Sequence, residues 1–205
     1  MITAASAMPG TTLAGPDQDL QADFERIRQR FSAPDFLANK GLGNEVSFHV
    51  FSYDPARENE VRARTSELLG AAGAGKLPCR IVHRDLWEIF LQICEDRRVL
   101  DRIPALELKR GTPAMLDQFH RTAPAEAFAT ALDYKGHEPG RDVLLITGVG
   151  KVYPIVRAHE VLENAQHVIE DVPVVLFYPG RYDGHQLHLF NTLADGNYYR
   201  AFNLL

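Results

Sequence analysis

Short apolar runs alternate with longer amphipathic segments along this chain, and that pattern predicts strands followed by helices. The clearest run is Val143–Thr147, which follows charged residues and is closed by Gly148 and Gly150. A helix would need about ten or more residues, so a run this short is typical of a strand covered on both faces. It predicts a buried central strand that ends in a glycine turn.

The other runs extend this pattern over most of the chain. Apolar runs predict further strands at residues 46–51, 80–83, 173–178 and 198–204. Amphipathic spacing predicts helices at residues 20–31, with Asp17 as N-cap, at 86–97, with Asp85 as N-cap, and at 58–69 and 155–168. Residues 100–132 read as helix interrupted by prolines, so they form a helical insertion between the second and third strands. Together these elements predict an α/β fold, with a mostly parallel sheet of about four to five strands and helices on both faces.

Composition narrows the class of protein. A chain of 205 residues favours one domain, which we place at 17–205, and the Ala, Gly, Thr and Pro of residues 1–16 predict a disordered tail. That tail lacks the features of a signal peptide, and no apolar run approaches the ~20 residues of a membrane span, so we expect a cytoplasmic protein. A net charge of −5 argues against binding nucleic acid by bulk charge. Cys79 and Cys94 show no metal or redox spacing and are expected to be reduced, buried and structural.

Polar side chains and glycines gather at the predicted strand ends. Because the carboxyl ends of parallel strands open onto one crevice, these residues are candidates for binding a ligand or a partner. The candidates are Asp54, Thr147, Gly148, Gly150, Lys151, Arg181 and Asp183. Their functional interpretation is a site for an anion or a polar peptide. The alternative is that each residue caps a turn or a helix end.

Motifs with known chemistry are weak in this chain. Residues 70–76 match the spacing of a phosphate loop, but they follow a predicted helix, lead into a strand, and are followed by Leu77 instead of Ser or Thr. Asp183, His185 and His188 could bind a metal, yet no further ligand is identifiable. We therefore expect no metal, no cofactor and no catalytic residue.

Several blocks of sequence resemble one known family. They are residues 40–45, 51–55, 145–154, 176–184 and 197–202. From about residue 20 to the C-terminus the chain resembles the BrxB family of the bacterial BREX phage-defence systems. The resemblance implies a role in phage exclusion beside an alkaline-phosphatase-like PglZ protein, a DNA methyltransferase and a large ATPase. It brings no established activity and no catalytic residues.

The function that follows is an accessory subunit that is not an enzyme and that docks onto another BREX component, the PglZ-like protein being the expected partner. Nucleic acid is expected only through the complex. Three other hypotheses stay open: a degenerate nucleotide-binding domain, a nucleic-acid-binding subunit using Arg26, Arg28 and Arg30, and a metal-dependent hydrolase using Asp183, His185 and His188.

Overall fold

A computed structural model describes most of the chain. The described residues are 15, 17–39, 48–183, 185–197 and 201–205. The predicted tail therefore lies almost wholly outside them, as does the block at residues 40–45.

Helices and strands alternate along the described chain. The helices are α1 (Leu20–Phe31), α2 (Pro34–Leu37), α3 (Glu58–Gly73), α4 (Leu86–Asp96), α5 (Ile103–Thr122), α6 (Ala125–Leu132), α7 (Val149–Val152) and α8 (Ala158–Ala165). The strands are β1 (Phe48–Tyr53), β2 (Arg80–Asp85), β3 (Asp142–Thr147), β4 (Val174–Tyr182), β5 (Gln186–Leu189), β6 (Leu193–Asn197) and β7 (Ala201–Asn203).

The sheet confirms the predicted fold class. Its main path runs β2-β3-β4-β1-β7, and every pair along this path is parallel. The predicted insertion at residues 100–132 consists of α5 and α6, which follow α4 between β2 and β3. The run at Val143–Thr147 is an interior strand, β3, between β2 and β4, while β4 occupies the middle of the path.

Two apolar cores lie on opposite faces of this sheet. The larger core packs α4, α6, α7 and α8 against side chains such as Leu144 and Ile146, and the smaller core packs α1, α2 and α3 against Leu145 and Phe177. Successive residues of β3 serve different cores because side chains alternate across a strand. The continuous apolar runs therefore reflect burial on both faces.

Several helix boundaries differ from the predicted ones. The N-cap of α1 is Asp19, whose carboxylate accepts from the Ala22 amide, and it replaces the predicted Asp17. The helix predicted at residues 155–168 is the shorter α8, because Arg157 precedes it in an extended conformation, and the predicted glycine turn contains the short helix α7. Gly70 does not end α3, which continues to Gly73.

A hairpin formed by β5 and β6 was missed by the pattern. It pairs antiparallel with the end of β4, which extends to Tyr182, beyond the predicted end at 178. Its turn places Phe190 and Asn191 at positive φ, and Phe has no preference for that conformation. Gly180 is required, since a β-carbon there would lie 2.1 Å from the His188 carbonyl oxygen.

Both cysteines are free thiols buried in the cores, as predicted. Among the described residues, no helix combines the length and apolar character that crossing a bilayer requires.

The buried His49 predicts that stability falls in mild acid. Its ring lies between Phe36 and Phe202, and burial, helped by the Arg30 guanidinium, lowers its pKa from 6.5 to about 4. Between pH 6.5 and about 4, His49 is therefore protonated in the unfolded chain but stays neutral in the folded chain. We expect this residue to remove about 3 kcal/mol of unfolding free energy between those two values.

Urea unfolding from pH 7 to pH 4 measures this loss. In the variant His49→Phe, which has no titrating ring and removes a buried nitrogen without a hydrogen-bond partner, the decline should be smaller by about that amount. Equal declines in the parent and the variant would show that His49 does not control acid stability.

Candidate functional site at the carboxyl ends of the strands

A small open cavity lies between α3 and the carboxyl ends of the strands. We call it the strand-end crevice, and it has a volume of about 90 Å³. Its lining residues are Tyr53, Glu58, Val61, Arg62, Thr65, Ser66, Leu69, His83, Asp85, Thr147, Gly148, Lys151 and Phe177. This is the location where ligands bind in open parallel sheets.

The central polar contact of the crevice joins β2 to the turn after β3. The Lys151 ammonium donates to Asp85 Oδ2 at 2.6 Å, and Asp85 Oδ1 accepts from the Trp87 amide at 2.9 Å. Asp85 is thus both the N-cap of α4, as predicted, and the counter-ion of Lys151. Gly148 allows this geometry, because it sits at φ +83° and a β-carbon there would lie 2.3 Å from Asp85 Oδ1.

A second polar pair in the same crevice is formed by His83 and Thr147. His83 Nε2 and Thr147 Oγ1 lie 2.8 Å apart, and they join the ends of β2 and β3. Burial lowers the pKa of His83, and the cations Lys151 and Arg84 act in the same direction against the opposing effect of Asp85. The imidazole is therefore neutral at pH 7, so its bond to Thr147 is one between uncharged groups.

Tyr53 provides the third polar pair, with the first turn of α3. Its hydroxyl donates to Glu58 Oε2 at 2.5 Å. Burial raises the Tyr53 pKa well above its usual range, and the Glu58 carboxylate adds to that rise. The phenol consequently stays protonated and holds Glu58 in place.

The candidates from the sequence divide into those that line the crevice and those that lie outside it. Thr147, Gly148 and Lys151 line it. Gly150 packs beneath the hairpin, where a β-carbon would lie 3.0 Å from the Phe190 ring. Asp54 is not part of its lining and caps the turn after β1, with its carboxylate 2.9 Å from the Ala56 amide.

The remaining two candidates, Arg181 and Asp183, lie at the end of β4 and in the turn that leads to β5. Arg181 is exposed and pairs with His188 in the strand register. Asp183 Oδ1 accepts from the amides of His185 and Gln186, at 2.9 and 2.8 Å, and these bonds lower its pKa. Asp183 therefore stabilises a turn, and no group of three metal-ligating side chains suited to a metal ion occurs in the described part of the chain.

Sequence reasoning missed most of the polar side chains that line the crevice. His83, Asp85, Tyr53, Glu58 and Arg62 were not candidates, although all of them line it. His83 and Asp85 are two residues apart at the end of β2 and so share one face, but the predicted strand stopped at His83. Glu58 and Arg62 line the crevice only because α3 packs on the sheet at that position, and hydrophobic periodicity does not predict such packing.

The glycine segment at residues 70–76 forms no phosphate loop. Gly70 and Gly73 lie inside α3, and the chain then turns into β2 instead of opening a helix. A phosphate would therefore meet no helix N-terminus there.

Comparison with known proteins identifies the family. The model of the family described as "BREX protein BrxB" matches residues 82–204, more than half of the chain. The chain belongs to the BrxB family. The matched range covers β2 to β7, including the turn after β3 and the hairpin.

Two curated BrxB proteins align over nearly the whole chain. The BREX protein BrxB of Bacillus cereus (strain H3081.97) is 35% identical over 185 residues, covering 89% of this chain and 95% of that protein. The BREX protein BrxB of Escherichia coli O9:H4 (strain HS) is 30% identical over 190 residues, covering 92% and 93% respectively. No solved structure is significantly similar to this chain.

Proposed function

We propose that this BREX component is an accessory subunit, not an enzyme, and that it docks onto another BREX protein in the cytoplasm through the carboxyl edge of its sheet. The PglZ-like protein that accompanies this family is the partner we favour. The observation that carries the proposal is an exposed apolar surface on the hairpin, with an exposed arginine on the strand beside it.

This surface, the hairpin patch, consists of Phe190 and Leu193, which are each 37% exposed. The exposed Arg181 lies on the neighbouring strand, on the opposite face from Leu193, because Arg181 pairs with His188 whereas Leu193 pairs with Leu189. Aromatic residues and arginine are enriched in protein interfaces. The patch also adjoins the crevice, because Phe190 packs over Gly150 and Lys151 follows in the chain.

The glycines at this edge support the proposal indirectly. A side chain at Gly148, Gly150 or Gly180 would meet Asp85, Phe190 or the His188 backbone. These glycines therefore allow segments of this chain to pack closely against one another. They are explained by that packing, without any contact to a partner. Their effect is a firmly held edge, and a rigid surface loses less entropy when it binds.

The test removes the apolar character of the hairpin patch and reverses the charge of the neighbouring Arg181. The double variant Arg181→Glu, Leu193→Glu is tagged, expressed with the complete operon, and captured with its partners. We expect at least about 30-fold less captured PglZ-like protein and loss of phage resistance, since interface hot spots contribute about 2 kcal/mol or more. The melting temperature should stay within a few degrees, because exposed substitutions change stability by about 0.5 kcal/mol.

The matched control is Lys76→Glu, an exposed charge reversal just before β2, at the opposite end of the sheet. It should retain capture and resistance. Unchanged capture by the double variant would contradict docking at this patch. Normal capture combined with lost resistance would show that the edge acts in some other way than by docking.

A further inference from the structure

The strand-end crevice has more hydrogen-bond donors than its own acceptors use. Both oxygens of Asp85 are occupied, one by the Trp87 amide and one by Lys151. Glu58 Oε2 accepts from Tyr53 at 2.5 Å. The acceptors that line the cavity are thus largely satisfied from within the protein.

The hydrogen-bond donors of the two cations in the crevice are only partly used within the protein. Lys151 has three N–H donors, and the described residues give it one acceptor, Asp85. Arg62 has five donors and lies 3.8 Å from Glu58 Oε1, too far for a hydrogen bond, with 59% of its side chain exposed. The unused donors at the mouth of the crevice are complementary to an anion.

Shape and polarity restrict that anion. The crevice volume of about 90 Å³ accommodates only a few heavy atoms, and Val61 and Phe177, which are 3% and 1% exposed, contribute apolar surface to its wall. The lining carries two carboxylates and two cations and therefore has no net charge. A highly charged ligand such as a nucleoside triphosphate is not attracted by the net charge of this crevice. A single carboxylate on a short apolar stem fits these constraints.

We infer that the strand-end crevice receives the carboxylate of an acidic side chain, a glutamate or an aspartate, from the docked partner. This inference rests on the proposed docking function and specifies the chemistry of the partner. The carboxylate accepts from Arg62 and Lys151 while its methylene groups contact Val61 and Phe177. Because the crevice adjoins the hairpin patch, one partner segment reaches both.

The pocket is tested first on the isolated protein, without any partner. Butyrate reproduces the glutamate side chain, and butyramide is its uncharged analogue of the same shape. In amide NMR titrations at low salt, butyrate should produce saturable shifts at Thr65, Ser66 and Gly148, and butyramide should not. Arg62→Met should weaken butyrate binding by about two- to fivefold.

The matched control is Arg64→Met on the same helix, because Arg64 pairs with Glu60 and does not line the crevice. It should bind butyrate like the parent. Equal shifts with butyramide, or equal weakening of butyrate binding in both arginine variants, would overturn the assignment of the crevice as a carboxylate-binding site.

Capture from the complete operon then tests the source of the carboxylate. Arg62→Met should reduce the captured partner and Arg64→Met should not. If butyrate binds while Arg62→Met captures the partner normally, the carboxylate does not come from the docked partner and the inference fails. If the isolated protein does not bind butyrate but the hairpin-patch variant loses its partner, docking stands and only the crevice assignment fails.

Discussion

Ile146→Asp is expected to abolish folding. Ile146 is fully buried in β3, where its neighbours are Arg84 of β2 and Leu176 of β4. The substitution removes an apolar side chain from the larger core and buries a carboxylate there. Desolvation of that charge costs several kcal/mol, and this cost exceeds what an ion pair with the neighbouring Arg84 returns. Total stabilities are only about 5–15 kcal/mol, so the variant should be insoluble or lack a cooperative thermal transition.

The conservative variant Ile146→Val separates this effect from a general intolerance of the position. It removes one methylene and should cost about 0.5–1.5 kcal/mol in urea unfolding, with cooperativity retained. A soluble Ile146→Asp protein that melts cooperatively would contradict the burial of this side chain between β2 and β4.

Asp142→Ala is expected to lower the unfolding free energy by about 2–3 kcal/mol, because it removes a fully buried carboxylate at the opposite end of β3 that accepts several hydrogen bonds. Its carboxylate is fully buried and accepts from Arg80 Nε at 2.7 Å, the Tyr134 hydroxyl at 2.9 Å and the Glu138 amide at 3.0 Å. Burial raises the Asp142 pKa, but these hydrogen bonds outweigh it and hold the pKa below its usual range. The carboxylate is therefore charged in the folded protein and satisfies donors from two other segments.

Urea unfolding at pH 7 measures this loss, and Asp35→Ala provides the matched control. Asp35 lies 3.7 Å from Arg30, and 75% of its side chain is exposed, so its removal should change stability by no more than about 0.5 kcal/mol. Similar losses of unfolding free energy in the two variants would contradict a stabilising role for the buried Asp142 carboxylate.

The amino-acid sequence alone predicted the class of fold because its strands are buried on both faces. Complete burial turns β3 and the first part of β4 into continuous apolar runs, and such runs are recognisable without tertiary information. The Asp85 cap of α4 was equally predictable, since capping depends on residues close in the chain. The resemblance to BrxB likewise came from blocks of sequence, and the family comparison confirmed it.

The tertiary structure alone decided which strands are neighbours and which polar side chains meet. The hairpin escaped prediction because its turn carries Phe190 and Asn191, without the usual glycine signal. Lys151 pairs with Asp85, 66 positions away, and His83 with Thr147, 64 positions away. Such pairings follow from the parallel register of β2 and β3, and local sequence patterns contain no information about the register of distant strands.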